Sequence, residues 1–198
     1  MPPSINYLLR ADRAPESSSF MYLHVAGRRM RSHDVTVDGL CKWLVGARIV
    51  LLIGAGNISR GDDGAGSMVA EDLKRWSSDR FRVMNVEEAP GKLLPDAVDL
   101  KPSHVILVDA AQVGGPPGTV RVLDMDEIES ARFSSTHDLP LPVVLGVLVS
   151  ETGARVIIVG IQPESAGISG QMSHAVRDSC AKLSELLVES LRSAGILV

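Results

Sequence analysis

Residues 50–66 read VLLIGAGNISRGDDGAG. The apolar run 50–53 is typical of a buried parallel strand. Glycines then allow the backbone to turn sharply and to be approached closely, and after two aspartates an amphipathic run over 67–76 predicts a helix. This order places Asp62 and Asp63 in a loop at the carboxyl end of a strand, where open α/β folds bind their ligands.

The two aspartates have two interpretations. Aspartate is a favoured N-cap and suits the positive end of a helix dipole, so one of the pair can serve only as a cap. Two adjacent aspartates among five glycines exceed what a cap needs. We therefore expect at least one of them to have a chemical role.

A phosphate-binding loop fits the same glycines poorly. Gly54 and Gly56 begin like a dinucleotide fingerprint, but Ser59 stands where the third glycine should be, and no lysine follows as in a Walker motif. Two carboxylates at a helix N-terminus would also repel the phosphate that such a loop attracts. The acidic pair favours a cation, which leaves a nucleotide-binding module as the weakest alternative.

The composition bounds the class of protein. The chain has 198 residues, 45% hydrophobic and 22% charged, which suits one α/β domain. Its net charge is −4 without a basic stripe, so we expect no nucleic-acid partner. Cys41 and Cys180 form no CxxC pair and are interpreted as small core residues in a reducing compartment. Since neither a membrane-length apolar run nor a signal peptide is present, we expect a cytoplasmic protein without membrane insertion.

The chain divides into an extension and a domain. Residues 1–34 contain three prolines, a serine run and five arginines without clean periodicity, and we expect a flexible N-terminal extension there. Residues 35–198 are predicted to form a single α/β domain that begins with a short helix at 35–46.

Strands and helices alternate through this domain. Strands are predicted at 48–53, 81–86, 104–109, 119–123 and 155–161, and helices at 64–77, 92–100 and 141–149. Ser173 is predicted to cap a last helix, whose apolar stripe is Val176, Cys180, Leu183, Leu187 and Leu191. The turn GGPPG at 114–118 cannot return the chain for a parallel strand, so we expect strand 119–123 to run antiparallel to strand 104–109.

This order of elements predicts a three-layer α/β sandwich. Its centre is a twisted, mostly parallel five-stranded sheet with one antiparallel strand, and helices cover both faces.

Polar residues gather at the carboxyl edge of the predicted sheet. Asp62 and Asp63 follow the first strand, Asp109 ends the third, and Gln162 and Glu164 follow the last. Because carboxyl ends of parallel strands meet at one edge, we expect these side chains to share it.

One histidine can reach this edge. A lone loop histidine is usually only solvated, but His137 lies in the polar loop 134–140 that leads into a helix. The other four histidines lie in the extension, at the opposite edge or at the start of the last helix, and these are His24, His33, His104 and His174. Two carboxylates and one imidazole suit a borderline divalent cation such as nickel, zinc or iron, and suit calcium poorly.

Four motifs in this order resemble the hydrogenase maturation endopeptidases. They are Gly54-x-Gly56-Asn57-x4-Asp62-Asp63-Gly64-x-Gly66, Val108-Asp109-Ala110, Thr136-His137-x-x-Pro140-Leu141 and Gly160-Ile161-Gln162-Pro163. The last two point to the HycI type, which serves group 4 hydrogenases. The resemblance covers about residues 48–191 and agrees with the predicted fold.

The resemblance implies an activity. These enzymes remove a C-terminal extension from the precursor of a [NiFe]-hydrogenase large subunit after nickel has been inserted. Carried over to this chain, the catalytic and nickel-contacting residues would be Asp63, Asp109 and His137, which leaves Asp62 for the helix cap or loop. No cofactor would be permanently bound, since the substrate supplies the nickel, and we expect a monomer.

Substrate contacts are less well defined. Gly64, Gln162 and Glu164 are candidate substrate-binding residues at the same edge. The family carries Asp or Asn followed by glycines after the second strand, whereas this chain reads NVEEAP over 85–90, a more acidic and less flexible loop. An alternative function with the same ligands is a metal-binding chaperone or sensor that cleaves no bond.

Overall fold

The computed structural model describes residues 35–86, 90–123, 141–164 and 170–198. The elements in chain order are α1 (Val37–Trp43), β1 (Val50–Ala55), a 3-10 segment (Ile58–Gly64), α2 (Ala65–Leu73), a 3-10 turn (Lys74–Trp76), β2 (Phe81–Val86), α3 (Pro90–Asp99), β3 (His104–Ala110), β4 (Val120–Leu123), α4 (Leu141–Thr152), β5 (Arg155–Ile161) and α5 (His174–Ser193). The predicted extension, 1–34, lies outside the described residues.

The strands form one five-stranded sheet in the order β2-β1-β3-β5-β4. Four strands are parallel, and β4 is antiparallel to β5. The predicted mixed sheet is therefore confirmed. The hydrogen-bonded neighbour of β4 is β5 and not β3, because β1 and β5 already occupy both sides of β3 and leave β4 the outer side of β5.

Helices cover both faces of the sheet, as predicted. On one face α1, α2 and α5 pack in a core that includes Leu40, Val69 and Leu187, and on the other α3 and α4 contribute Ala97 and Leu145. Every residue of β1 and β3 is buried, which explains why these strands read as continuous apolar runs. The predicted stripe of α5 is buried along its whole length. No helix within the described ranges combines the length and apolar composition that crossing a bilayer requires.

The region between β1 and β2 differs from the prediction of one helix at 64–77. A 3-10 segment comes first, beginning after Asn57, whose side-chain oxygen accepts a hydrogen bond from the Ser59 N–H. Helix α2 then ends at Leu73 and tightens into a 3-10 turn. The aspartates therefore lie in a 3-10 segment before α2. The start of this 3-10 segment is set by the cap at Asn57.

His104 lies at the amino edge of the sheet, opposite the aspartates, as predicted. Its side chain is 3% exposed, and its ring meets the Trp43 ring edge-to-face at a centroid distance of 4.8 Å. Burial, followed by the nearby Arg155 guanidinium, lowers the pKa of His104 to about 4. This histidine therefore belongs to the core and stays neutral in the folded protein near pH 7.

We expect His104 to make the fold acid-sensitive. Its pKa is about 4 in the folded chain and about 6.5 when unfolded, so the unfolded state binds more protons between these values. The stability it contributes is complete above pH 6.5 and falls by at most about 3 kcal/mol as the pH drops to 4. His104→Phe keeps a ring against Trp43. It should reduce the change in the free energy of unfolding, measured with urea, between pH 6.5 and pH 4. If the free energy of unfolding changed with pH to the same extent in both proteins, the prediction would be contradicted.

Candidate active site

A crevice is expected between the carboxyl ends of β1 and β3. These strands are neighbours. The strand that follows β1 in the chain, β2, pairs with one side of β1, and β3 pairs with its other side. Open α/β sheets bind ligands at such a switch point. The segment carrying Asp63 follows β1, and Asp109 is the penultimate residue of β3. The structure thus has Asp63 in the segment that follows β1 and Asp109 within β3, and β1 and β3 are the two strands that border the switch point.

Asp63 is partly buried and oriented through one oxygen. Its Oδ2 accepts a hydrogen bond from the Asn57 N–H at 3.1 Å. Its Oδ1 makes no hydrogen bond to any residue in the described ranges. One oxygen therefore fixes the carboxylate against the start of its own loop, and the other remains as a candidate ligand.

Asp109 is held more deeply. Its side chain is 0% exposed, and its Oδ1 accepts a hydrogen bond from the Ala110 N–H at 2.7 Å. In the sheet it pairs with Gly160 of β5, where a Cβ would crowd Val113 and Ala111. Burial and the backbone of β3 thus hold this carboxylate in place.

Asp62 does not cap α2. That helix follows Gly64 and has no side-chain cap. The Asp62 carboxylate, 3% exposed, instead accepts hydrogen bonds from the Glu164 N–H at 2.9 Å, the Ser173 N–H at 2.7 Å and the Ser173 hydroxyl at 3.1 Å. The cap interpretation is wrong because the segment turns this side chain towards β5 and α5. Sequence reasoning had no signal for these partners, 102 and 111 residues away.

The glycines of this loop make room for the chain's own backbone. Gly56 has φ +112°, and a Cβ there would overlap the Asp63 carbonyl oxygen, while a Cβ at Gly66 would overlap the carbonyl oxygens of Val108 and Ala55. The Ser67 hydroxyl closes the loop by contacts with the Gly56 carbonyl and, at 2.7 Å, the Asn85 side-chain oxygen. The space that a phosphate would need at these glycines is therefore filled, which argues against a nucleotide site.

The three candidate substrate-binding residues make contacts within the fold. Gln162 is 8% exposed; its Oε1 accepts from the Val113 and Gly114 N–H groups, both at 3.0 Å, and its Nε2 donates to Gln112 at 2.8 Å. Glu164 is exposed and offers its backbone N–H to Asp62. Gly64 is buried against the backbone of Ile58. Their contacts with substrate stay predictions.

The third predicted ligand, His137, lies outside the described residues. Among the residues that are described, no three His, Cys, Asp or Glu side chains are grouped to hold a metal ion. A three-ligand set built on Asp63 and Asp109 therefore needs a further side chain, and His137, which the family resemblance implies for that place, stays a prediction. Of the NVEEAP loop, residues 87–89 are likewise outside the described ranges.

Comparison with known proteins places the chain among hydrogenase maturation enzymes. The HycI family model, described as hydrogenase maturation protease, matches residues 68–190, which include Asp109, His137 and Gln162 but begin after Asp63. The chain is 32% identical to the Hydrogenase 3 maturation protease of Escherichia coli (strain K12) over 129 residues, or 65% of this chain and 82% of the relative.

Solved structures give the same result. The [NiFe] hydrogenase maturation protease HycI from Thermococcus kodakarensis superposes with a TM-score of 0.68 and 31% identity, covering 77% of this chain and 98% of that one. The solution structure of the endopeptidase HycI from Escherichia coli gives 0.61 and 28%, covering 73% and 91%. The matched fold includes most of the described residues.

Proposed function

Because this chain belongs to the hydrogenase maturation protease family, we propose that it removes the C-terminal extension of a [NiFe]-hydrogenase large-subunit precursor after nickel insertion. The observation that supports the proposal is that the segment carrying Asp63 follows β1 and that Asp109 lies near the end of β3, since β1 and β3 border the switch point. We propose a group 4 hydrogenase as the source of the precursor, and a cytoplasmic monomer as the active form.

Nickel enters this proposal as part of the substrate. Asp63 would contact it through Oδ1, the oxygen without a hydrogen bond in the described chain, and Asp109 and His137 would supply the other contacts. Carboxylate and imidazole donors with open positions suit a divalent ion of this kind. The chain itself would hold no permanent cofactor, since the precursor supplies the nickel.

The contribution of the protein is orientation. Asp109 is fixed by the sheet and Asp63 by the Asn57 N–H, so little ordering is left for the moment of binding. A nickel-loaded precursor gains contacts with these carboxylates that a nickel-free precursor lacks. The preference of the enzyme for the loaded precursor equals the resulting difference in binding free energy. The cut would then follow metal insertion and not precede it.

We expect cleavage only of the nickel-loaded precursor. The purified chain is mixed with loaded and with nickel-free precursor, and the mass of the intact large subunit is followed by mass spectrometry. Loss of the extension in the loaded sample alone supports the proposal. Equal cleavage of both samples would contradict nickel recognition, and stable binding of the loaded precursor without a mass change would favour the chaperone or sensor alternative.

A further inference from the structure

The buried carboxylate of Asp62 has no task in the proposed reaction. It lies next to Asp63 in the chain, yet its three hydrogen bonds all go to the segments that follow β5 and begin α5. Two of the donors belong to Ser173, which also caps α5 by accepting from the Val176 N–H at 3.4 Å. The carboxylate therefore links the loop of the candidate site to two distant parts of the fold.

The two oxygens of a carboxylate can accept all of these hydrogen bonds, which an amide cannot do. Oδ1 accepts the Ser173 N–H, and Oδ2 accepts both the Glu164 N–H and the Ser173 hydroxyl. An asparagine has one acceptor oxygen, so in either orientation its NH₂ group would face at least one of the two backbone N–H donors. Hydrogen bonds to a charged acceptor are also stronger than those between neutral groups. Asp62→Asn should therefore loosen this link while keeping the side-chain volume.

The link continues from Glu164 to Asp109. Glu164 stands three residues after Ile161, the end of β5, and the Ile161 carbonyl accepts a hydrogen bond from the Ala111 N–H at 3.0 Å. One register step earlier, Gly160 pairs with Asp109 itself. Asp62 thus ties the segment carrying Asp63 to the same strand end that supports Asp109.

We propose that Asp62 is a positioning residue, which sets the separation of the Asp63 and Asp109 carboxylates by fastening the 3-10 segment to the end of β5. This inference rests on the proposed function, because it assumes that these two carboxylates act on one cation. Asp62 touches neither the metal nor the scissile bond. Supporting groups of this kind commonly change metal affinity or activity by about 10- to 100-fold.

The test measures cadmium affinity by calorimetry and precursor cleavage in the wild type, Asp62→Asn, Ser173→Ala and Leu187→Ala. Leu187 is 0% exposed in the same helix, α5, so its truncation lowers the melting temperature without touching the site. We expect Asp62→Asn to weaken cadmium binding about 10- to 100-fold and to lower kcat more than it raises KM. Of the three hydrogen bonds to Asp62, Ser173→Ala removes only the one from the hydroxyl; it also removes the cap of α5, and it should show a smaller loss of the same kind.

A purely structural role predicts another pattern. Cadmium affinity and kcat in Asp62→Asn equal to those in Leu187→Ala would overturn the inference. If Asp62→Asn does not fold, Ser173→Ala decides by the same comparison. A wild type without cadmium binding would also overturn the inference, because there would then be no pair of cation-binding carboxylates to position. A third outcome separates the two proposals. If the wild type binds cadmium and Asp62→Asn weakens that binding, but the wild type does not cleave the loaded precursor, the proposed function is overturned and the inference is supported.

Discussion

Asp63→Asn, Asp109→Asn and His137→Ala are each expected to abolish cleavage of the nickel-loaded precursor without unfolding the protein. The amide keeps the volume of each carboxylate but removes its charge, and alanine removes the imidazole altogether. Since even supporting groups around a metal change activity by about 10- to 100-fold, loss of a direct contact should lower kcat/KM by at least about 100-fold. Cleavage is measured by mass spectrometry and folding by circular dichroism.

Cadmium supplies a second measurement that needs no precursor. A cation that binds the folded chain raises its melting temperature by mass action. We expect a rise in the wild type and little in the three variants. Asp79→Asn is the matched control, because Asp79 is exposed just before β2 at the opposite edge of the sheet, and it should keep both cleavage and the cadmium shift. Full activity in any of the three variants would refute its assignment to the site.

Gly66→Ala is expected to destabilise the domain strongly. Gly66 lies at the start of α2, where a Cβ would overlap the carbonyl oxygens of Val108 and Ala55. Both obstacles are strand backbone, so the helix must move off the sheet instead of displacing a side chain. Overpacking of this kind costs about 3 kcal/mol, which corresponds to a fall of about 6–12 °C in melting temperature for a domain of this size. Because Val108 precedes Asp109, precursor cleavage should fall as well.

Gly146→Ala is the matched control for this effect. Gly146 lies inside another helix, α4, and a Cβ there would have none of the described residues within 4 Å. Replacing a helical glycine with alanine normally stabilises by about 0.5–1 kcal/mol, so the melting temperature should rise slightly. Thermal unfolding of the two variants beside the wild type separates close packing from helix propensity. A Gly66→Ala protein that melts with the wild type would show that α2 can shift without cost.

Much of the fold could be predicted because its signals are local. β2 and β5 have their predicted bounds, and α5 buries its predicted stripe behind the predicted Ser173 cap. Periodicity and capping act over a few residues, so they survive in the sequence. The 3-10 segment before α2 was missed, because glycines and aspartates there signal a loop without saying how it winds.

The candidate site divides in the same way. The sequence predicts that Asp63 comes after one strand and that Asp109 lies at the end of another, and parallel pairing brings such ends to one edge. Which carboxylate does what depends on neighbours far along the chain. The sequence left Asp62 for the helix cap or the loop, whereas the structure joins it to Glu164 and Ser173.

The sequence by itself determined the order of strands and helices, the edge of the sheet that carries the acidic residues and the family resemblance, since each depends on residue types at short spacing. Only the tertiary structure decided that β4 pairs with β5, that Gln162 fastens the loop after β3, and that Asp62 links that edge to α5. These contacts join residues that are close only after the sheet has formed. Two neighbouring aspartates, Asp62 and Asp63, look alike in the sequence, and hydrogen-bond donors from distant segments give them different roles.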